Sequence, residues 1–222
     1  MQTITFVRHG QSMANVGAIT AEHHSVALTQ AGRAQAAELA DLLPQQCANV
    51  LVSPFERAQH TALPYCTKLG LTAQVVPLLH EFETTDPDLT KGMTGAERVP
   101  LIDAYWAQAD VSARMGPRAE SFTEFAGRVE AFKQDVLPQL PDSTVIFGHG
   151  MWNALLYWRL MGFSVNDAFA MKSFRRFQIG FPMPNGAAYR VQQLQPGQWR
   201  LEADDAVMRR MVQIASLKTS FD

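Results

Sequence analysis

The stretch Thr3-Ile4-Thr5-Phe6-Val7-Arg8-His9-Gly10 runs from β-favouring residues straight into a charged residue, a histidine and a glycine. A second stretch of the same design, Thr144-Val145-Ile146-Phe147-Gly148-His149-Gly150, comes late in the chain. Branched and aromatic side chains suit a pleated, buried strand. The turn that follows puts each imidazole at the carboxyl end of its strand, the place where open α/β sheets bind ligands. Two such ends in one sheet are able to face each other.

Working outward, β-rich runs alternate with helical patterns. Residues 33–43 are strong helix formers, with Thr29 as the N-cap and Pro44 as the stop. Residues 49–53 read as a second buried strand. Pro54 opens a helix that runs to about Leu69 and stops at Gly70. A third short strand is expected at 74–76. Over 84–118 the pattern breaks into short amphipathic pieces between Pro87, Gly92, Gly95, Pro100, Gly116 and Pro117, which reads as a lid inserted over one face of the sheet. A long helix is expected from Ser121 to about Leu140, begun by the capping box Ser121-Phe122-Thr123-Glu124. A further helix follows at 151–161, ended by Gly162, and then a hairpin of 187–194 with 198–202 around Pro196-Gly197. The expected fold is one α/β domain over 1–222: a three-layer α/β/α sandwich with a mainly parallel sheet, an antiparallel edge strand and a helical lid insertion.

The composition excludes several classes. Of 222 residues, 47% are hydrophobic and 18% charged, as in ordinary globular proteins. A formal net charge of −2 argues against a nucleic-acid binder, so any basic groups that matter are local. Cys47 and Cys66 lack ligand spacing and read as packed free thiols in a reducing compartment. The first residues read as a strand and not a signal peptide, and no apolar run reaches membrane-spanning length. The expectation is a cytoplasmic protein with neither a nucleic-acid nor a membrane partner.

The chemistry gathers around Arg8-His9-Gly10-Gln11-Ser12 and Asn15. Gly10 permits a tight turn, and a helix starting near Gln11 is expected to aim free N–H groups at an anion. Ser53-Pro54-Phe55-Glu56-Arg57 places Arg57 on the first turn of a helix, where its planar fork suits phosphate oxygens.

Together these pieces resemble the histidine phosphatase superfamily, also called the phosphoglycerate-mutase-like family. The resemblance runs through Arg8-His9-Gly10-Gln11-Ser12 with Asn15, Leu28-Thr29-Gln30-Ala31-Gly32, Ser53-Pro54 with Arg57-Ala58 and Thr61-Ala62, and Gly148-His149-Gly150. Pro184-Asn185-Gly186-Ala187 is similar more loosely. The resemblance implies that His9 attacks phosphorus to give a phosphohistidine that water hydrolyses, with Arg8, Arg57 and His149 holding the phosphoryl group without a metal or other cofactor. Asn15, Ser12 and Gly150 are the implied further substrate contacts. The family's proton donor falls on Glu81, and Glu83, two residues on, is the competing candidate. The implied substrate is a small-molecule phosphomonoester or a phosphoprotein.

Other histidines have plainer readings: His23-His24 lack a third metal ligand, His60 packs on its helix, and His80 lies beside Glu81. The chain departs from the mutase pattern after Glu81, where Phe82-Glu83-Thr84-Thr85-Asp86-Pro87 is acidic and no basic carboxylate-binding region is evident. A mutase-type phosphotransferase and a non-catalytic phospho-ligand binder are therefore secondary expectations. Tyr105, Trp106, Met115, Phe122 and Phe125 read as core at helical spacing. Any that faced the pocket would favour a bulky or apolar leaving group.

Overall fold

A computed structural model describes residues 2–20 and 22–218. Residues 1, 21 and 219–222 of the expected domain lie outside the described residues. The sheet has six strands in the order β3-β2-β4-β1-β5-β6, namely β1 (Thr3–Arg8), β2 (Asn49–Val52), β3 (Gln74–Val75), β4 (Thr144–Gly148), β5 (Ala188–Gln195) and β6 (Gln198–Ala203). β1, β2, β3 and β4 pair in parallel. β5 runs antiparallel to β1, and β6 antiparallel to β5.

Alternation along the strands builds both cores. Ile4, Phe6, Leu51 and Ile146 point to one face, whereas Val7, Val50, Val52, Val145 and Phe147 point to the other. The second face is covered by α1 (Gln30–Leu42), α2 (Glu56–Leu69) and α7 (Asp205–Lys218). The first face carries α4 (Phe122–Ala131), α5 (Gly150–Leu160) and α6 (Ala168–Gly180), with α3 (Gly95–Gln108) from the insertion packed beside them. Tyr105, Trp106, Phe122 and Phe125 are buried in this core and Met115 packs against it. These aromatic side chains, from α3 and α4, therefore support the fold.

Several elements match their local signals. Thr29 caps α1 by accepting from the Gly32 N–H, Gly70 ends α2 in the left-handed region, and Ser121 with Glu124 forms the capping box of α4. The long helix expected to reach Leu140 instead loosens at Phe132 into a π turn and then a 3₁₀ turn around Pro138. Proline cannot donate the N–H that regular helix requires at that point. α6 and α7 were not foreseen in sequence. Exposed Phe169 and Ile179 blur the periodicity of α6, and exposed Val212 and Leu217 blur that of α7.

The expected helix near Gln11 is absent. The chain after Gly10 forms turns, with the Asn15 N–H donating to the Ser12 carbonyl at 2.9 Å. The reason is a backbone crossing. A Cβ on Gly32 would sit 1.9 Å from the Gln11 carbonyl oxygen, and one on Gly10 would sit 2.6 Å from the Gly32 carbonyl oxygen. The first turn of α1 thus occupies the space that a helix after His9 would need.

Gly32→Ala is expected to destabilise the protein by about 1–3 kcal/mol, as overpacked cores do. Gly127→Ala, inside α4 with nothing within 4 Å of an added Cβ, is expected to stabilise it by about 0.5–1 kcal/mol. Urea denaturation of the two variants measures both.

Candidate active site

Adjacent parallel strands bring the two histidines together. β1 and β4 pair with Arg8 opposite Gly148, so His9 and His149 leave neighbouring strand ends at the same level. Their rings lie 5.2 Å apart, centroid to centroid, and both are buried. Arg57, from the first turn of α2, reaches across so that its Nε lies 3.2 Å from His9 Nε2. Its Nη1 donates to the His23 carbonyl at 2.7 Å, and its guanidinium stacks on Phe55 at 4.9 Å. Arg8 donates from Nη1 to the Met183 carbonyl, and its Nε is buried without a partner.

The hydrogen bonds define how each imidazole is presented. His9 Nδ1 lies 2.7 Å from the Gly10 carbonyl oxygen, which can only accept. The proton therefore belongs on Nδ1, and Nε2 carries the lone pair. For His149, Nε2 lies 2.7 Å from Ser53 Oγ, which already accepts the Phe55 N–H. His149 Nδ1 is a buried atom with no partner among the described residues.

Glu81 lies at the start of α5. Its two carboxylate oxygens accept the N–H groups of Met151 and Trp152, each at 3.0 Å. This is where helix geometry favours a negative group. Both Arg8 and Arg57 feel its charge. Glu83 acts on Arg57 but is turned toward His80, 3.6 Å away.

Across this arrangement and most of the chain, the family model of the histidine phosphatase superfamily (branch 1) matches residues 4–203. The chain belongs to the histidine phosphatase superfamily. An adenosylcobalamin/alpha-ribazole phosphatase of Escherichia coli K12 is 31% identical over 127 residues, which is 57% of this chain and 62% of that relative. The match thus spans less than two thirds of the relative's length. The alpha-ribazole phosphatase of Shigella flexneri has the same fold, with a TM-score of 0.70 at 24% identity, over 91% of this chain and 95% of that one. So does a mycobacterial glucosyl-3-phosphoglycerate phosphatase solved with VO3, with a TM-score of 0.72 at 24% identity, over 91% and 98%.

Burial sets the electrostatics of this histidine phosphatase site. It pushes His9 well below the ordinary imidazole range, and the charges of Arg57 and Arg8 push it further. His149 is lowered for the same reasons, with burial the largest. Arg57 is brought down to about 10 by burial, against the opposing pull of Glu81. Two guanidinium groups beside two neutral imidazoles form a buried site short of negative charge.

The remaining predicted contacts divide. Asn15 Oδ1 accepts from the Ser12 N–H, from Ser12 Oγ and from Asn185 Nδ2 at 2.9–3.0 Å, so Ser12 serves to hold Asn15. Gly150 makes room for Arg8, whose Nε would lie 3.1 Å from an added Cβ. His23 joins the loop after β1 to the insertion through the Thr85 carbonyl at 2.7 Å, and His60 is exposed.

Sequence reading assigned no role to several residues that assemble the site. Thr61 accepts the Gly10 N–H and donates to the Arg57 carbonyl, tying the segment after β1 to the first turn of α2. Asn185 donates to the His9 carbonyl at 3.2 Å. Arg128 donates to the carbonyls of Leu78 and His80 at 2.9 and 2.6 Å, clamping the segment that carries Glu81, while Glu120 pairs with it at 2.7 Å. Burial opposes ionisation of Glu120, but hydrogen bonds from His80 and Arg128 prevail and hold its carboxyl at about 2. Ser53, Thr61 and Asn185 were visible within the quoted motifs. Arg128 had no local signal, because its partners are carbonyls distant in sequence.

Burial disfavours the imidazolium form, so His9 and His149 are expected to stay neutral in the folded protein as pH falls through 6.5. The unfolded chain takes up those protons below about pH 6.5, so stability is fullest above that pH and declines beneath it. Ring ¹⁵N shifts followed from pH 8 to pH 5 check the expectation; imidazolium shifts at either residue near pH 6.5 contradict it.

Proposed function

We propose that this member of the histidine phosphatase superfamily is a metal-independent phosphomonoester hydrolase that works through a phosphohistidine on His9. One observation carries the reading: a neutral His9 with its Nδ1 proton committed to the Gly10 carbonyl and its Nε2 lone pair beside Arg57. A neutral imidazole held in one tautomer is a competent nucleophile at neutral pH.

In the first step Nε2 attacks phosphorus and the bond from phosphorus to the ester oxygen breaks. Glu81 supplies the proton that the leaving oxygen takes up. A water then attacks the phosphohistidine and gives a proton back to Glu81, inorganic phosphate departs, and His9 is restored. Phosphoryl transfer spreads charge over three equatorial oxygens, so positioned positive groups do most of the catalysis. Arg8 Nε is a buried donor and His149 Nδ1 a buried ring nitrogen, both without partners among the described residues; phosphoryl oxygens would satisfy the first, and the second wherever it carries the ring proton. Asn15, with only its oxygen engaged, would add its amide donors.

Glu81 is favoured over Glu83 as the acid by position: it lines the same cleft as Arg8 and is fixed there by the first N–H groups of α5, whereas Glu83 is turned toward His80. The mutase alternative finds no support in the cleft beside Glu81, where Arg8 is the single cationic side chain among the described lining residues.

Phenyl phosphate is expected to be hydrolysed in the presence of excess chelator, and His9→Ala is expected to abolish turnover. Rapid acid-free quenching should trap phosphate on His9. Full activity in His9→Ala would falsify the mechanism. Arg57→Ala is expected to lower kcat by about 10²–10³-fold, the scale of one lost transition-state donor. In the same assay Glu81→Gln is expected to cost far more than Glu83→Gln, and the reverse order reassigns the acid.

A further inference from the structure

One largely buried ion pair takes no part in holding the phosphoryl group. Arg128 of α4 and Glu120, just ahead of that helix, are 10% and 17% exposed, and two hydrogen bonds of 2.9 and 2.7 Å join their side chains. A carboxylate gripped by both edges of a guanidinium fixes its orientation. The pair encloses the run that carries Glu81. Up to that residue, Arg128 Nη1 donates to the carbonyls of Leu78 and His80 at 2.9 and 2.6 Å, and Nη2 reaches the Glu81 carbonyl at 3.5 Å. Beyond it, Glu120 accepts the Glu83 N–H at 3.3 Å, and its own N–H donates to the Glu83 carbonyl at 2.9 Å. Trp152 closes the frame: its indole N–H donates to the Leu78 carbonyl at 2.8 Å while its backbone N–H donates to the Glu81 carboxylate at 3.0 Å. The main chain bearing Glu81 and the helix end holding its carboxylate are thereby fixed to each other.

We propose that Arg128, oriented by Glu120, is a positioning residue for proton delivery to the leaving group, acting through Glu81 and not on the phosphoryl group. The assignment rests on the reading of Glu81 as the acid. The step it serves is a single proton transfer: the O–H bond of the Glu81 carboxyl breaks, and the leaving oxygen takes the proton as its bond to phosphorus breaks. A carboxyl at the end of a flexible side chain is placed only as well as its main chain and its acceptor contacts are. Misplacement by about 1 Å costs on the order of 10²-fold.

The chemistry of the frame calls for arginine. Its planar fork serves carbonyls and a carboxylate at once, whereas the compact ammonium of lysine on a flexible stem does not hold both in one geometry. None of the hydrogen bonds that Arg128 makes goes to Arg8, His9, Arg57 or His149. Its loss therefore weakens proton delivery while the phosphoryl contacts remain.

Two esters separate these effects. Phenyl phosphate needs a proton on its leaving oxygen, whereas 2,4-dinitrophenolate leaves readily as the anion. Glu81→Gln is expected to lower kcat/KM for phenyl phosphate by about 10²–10⁴-fold, the range of general-acid catalysis, with a much smaller loss for 2,4-dinitrophenyl phosphate. Arg128→Met is expected to follow the same pattern at about 10–100-fold for phenyl phosphate. Arg128→Lys, which keeps the charge, is expected to show it more mildly, and it decides the matter if Arg128→Met does not fold. Arg159→Met breaks another ion pair of α4, that of Arg159 with Glu130 at 2.9 Å, and is expected to change both esters by the same factor. Unchanged phenyl phosphate turnover in the Arg128 variants, or equal losses on both esters, overturns the positioning role. If Glu81→Gln keeps its leaving-group dependence in that case, the acid reading stands. Equal losses on both esters in Glu81→Gln overturn the acid reading and the positioning role together.

Discussion

The parallel pairing of β1 with β4 is the constraint on which the rest of the site depends. Interstrand hydrogen bonds hold neighbouring strands a little under 5 Å apart, and the register Arg8 opposite Gly148 makes the two strands end together. His9 and His149 inherit that spacing, with ring centroids 5.2 Å apart. β2 on the far side of β4 then delivers Ser53 to His149 and starts the chain toward Arg57. Loop geometry alone would hold none of these distances so firmly, whereas a sheet edge buried on both faces does.

Burial and charge act together at that edge. Desolvation lowers Arg8, Arg57, His9 and His149 alike, so the site resists protonated imidazole and strains toward an anion. Glu81 supplies part of the balance from the N-terminus of α5, and Arg128 keeps its segment in place through the Leu78 and His80 carbonyls.

The strand-end histidines, Arg57, the caps at Thr29 and Ser121, the stop at Gly70 and the hairpin were legible because each is a local pattern with a local cause. The supposed helix after Gly10 was misread because the obstacle is Gly32, a residue that comes close only when α1 folds back over Gln11. α6 and α7 escaped notice because exposed apolar residues disturb their periodicity. Arg128 was invisible because, Glu120 apart, its partners are backbone carbonyls, which carry no residue type for a sequence to display.

By itself, then, the sequence determined the strand ends, the family and the pair of histidines with their cationic neighbours, since short-range propensity and compact motifs encode them. Tertiary structure alone decided that His9 Nδ1 faces the Gly10 carbonyl, which glutamate meets both arginines, and which side chains wall the space beyond Glu81. Those outcomes depend on distances between segments far apart in the chain. Tyr105 and Trp106 of the insertion illustrate the difference: sequence left open whether they face a ligand, and packing placed both in the core with Phe122 and Phe125 of α4.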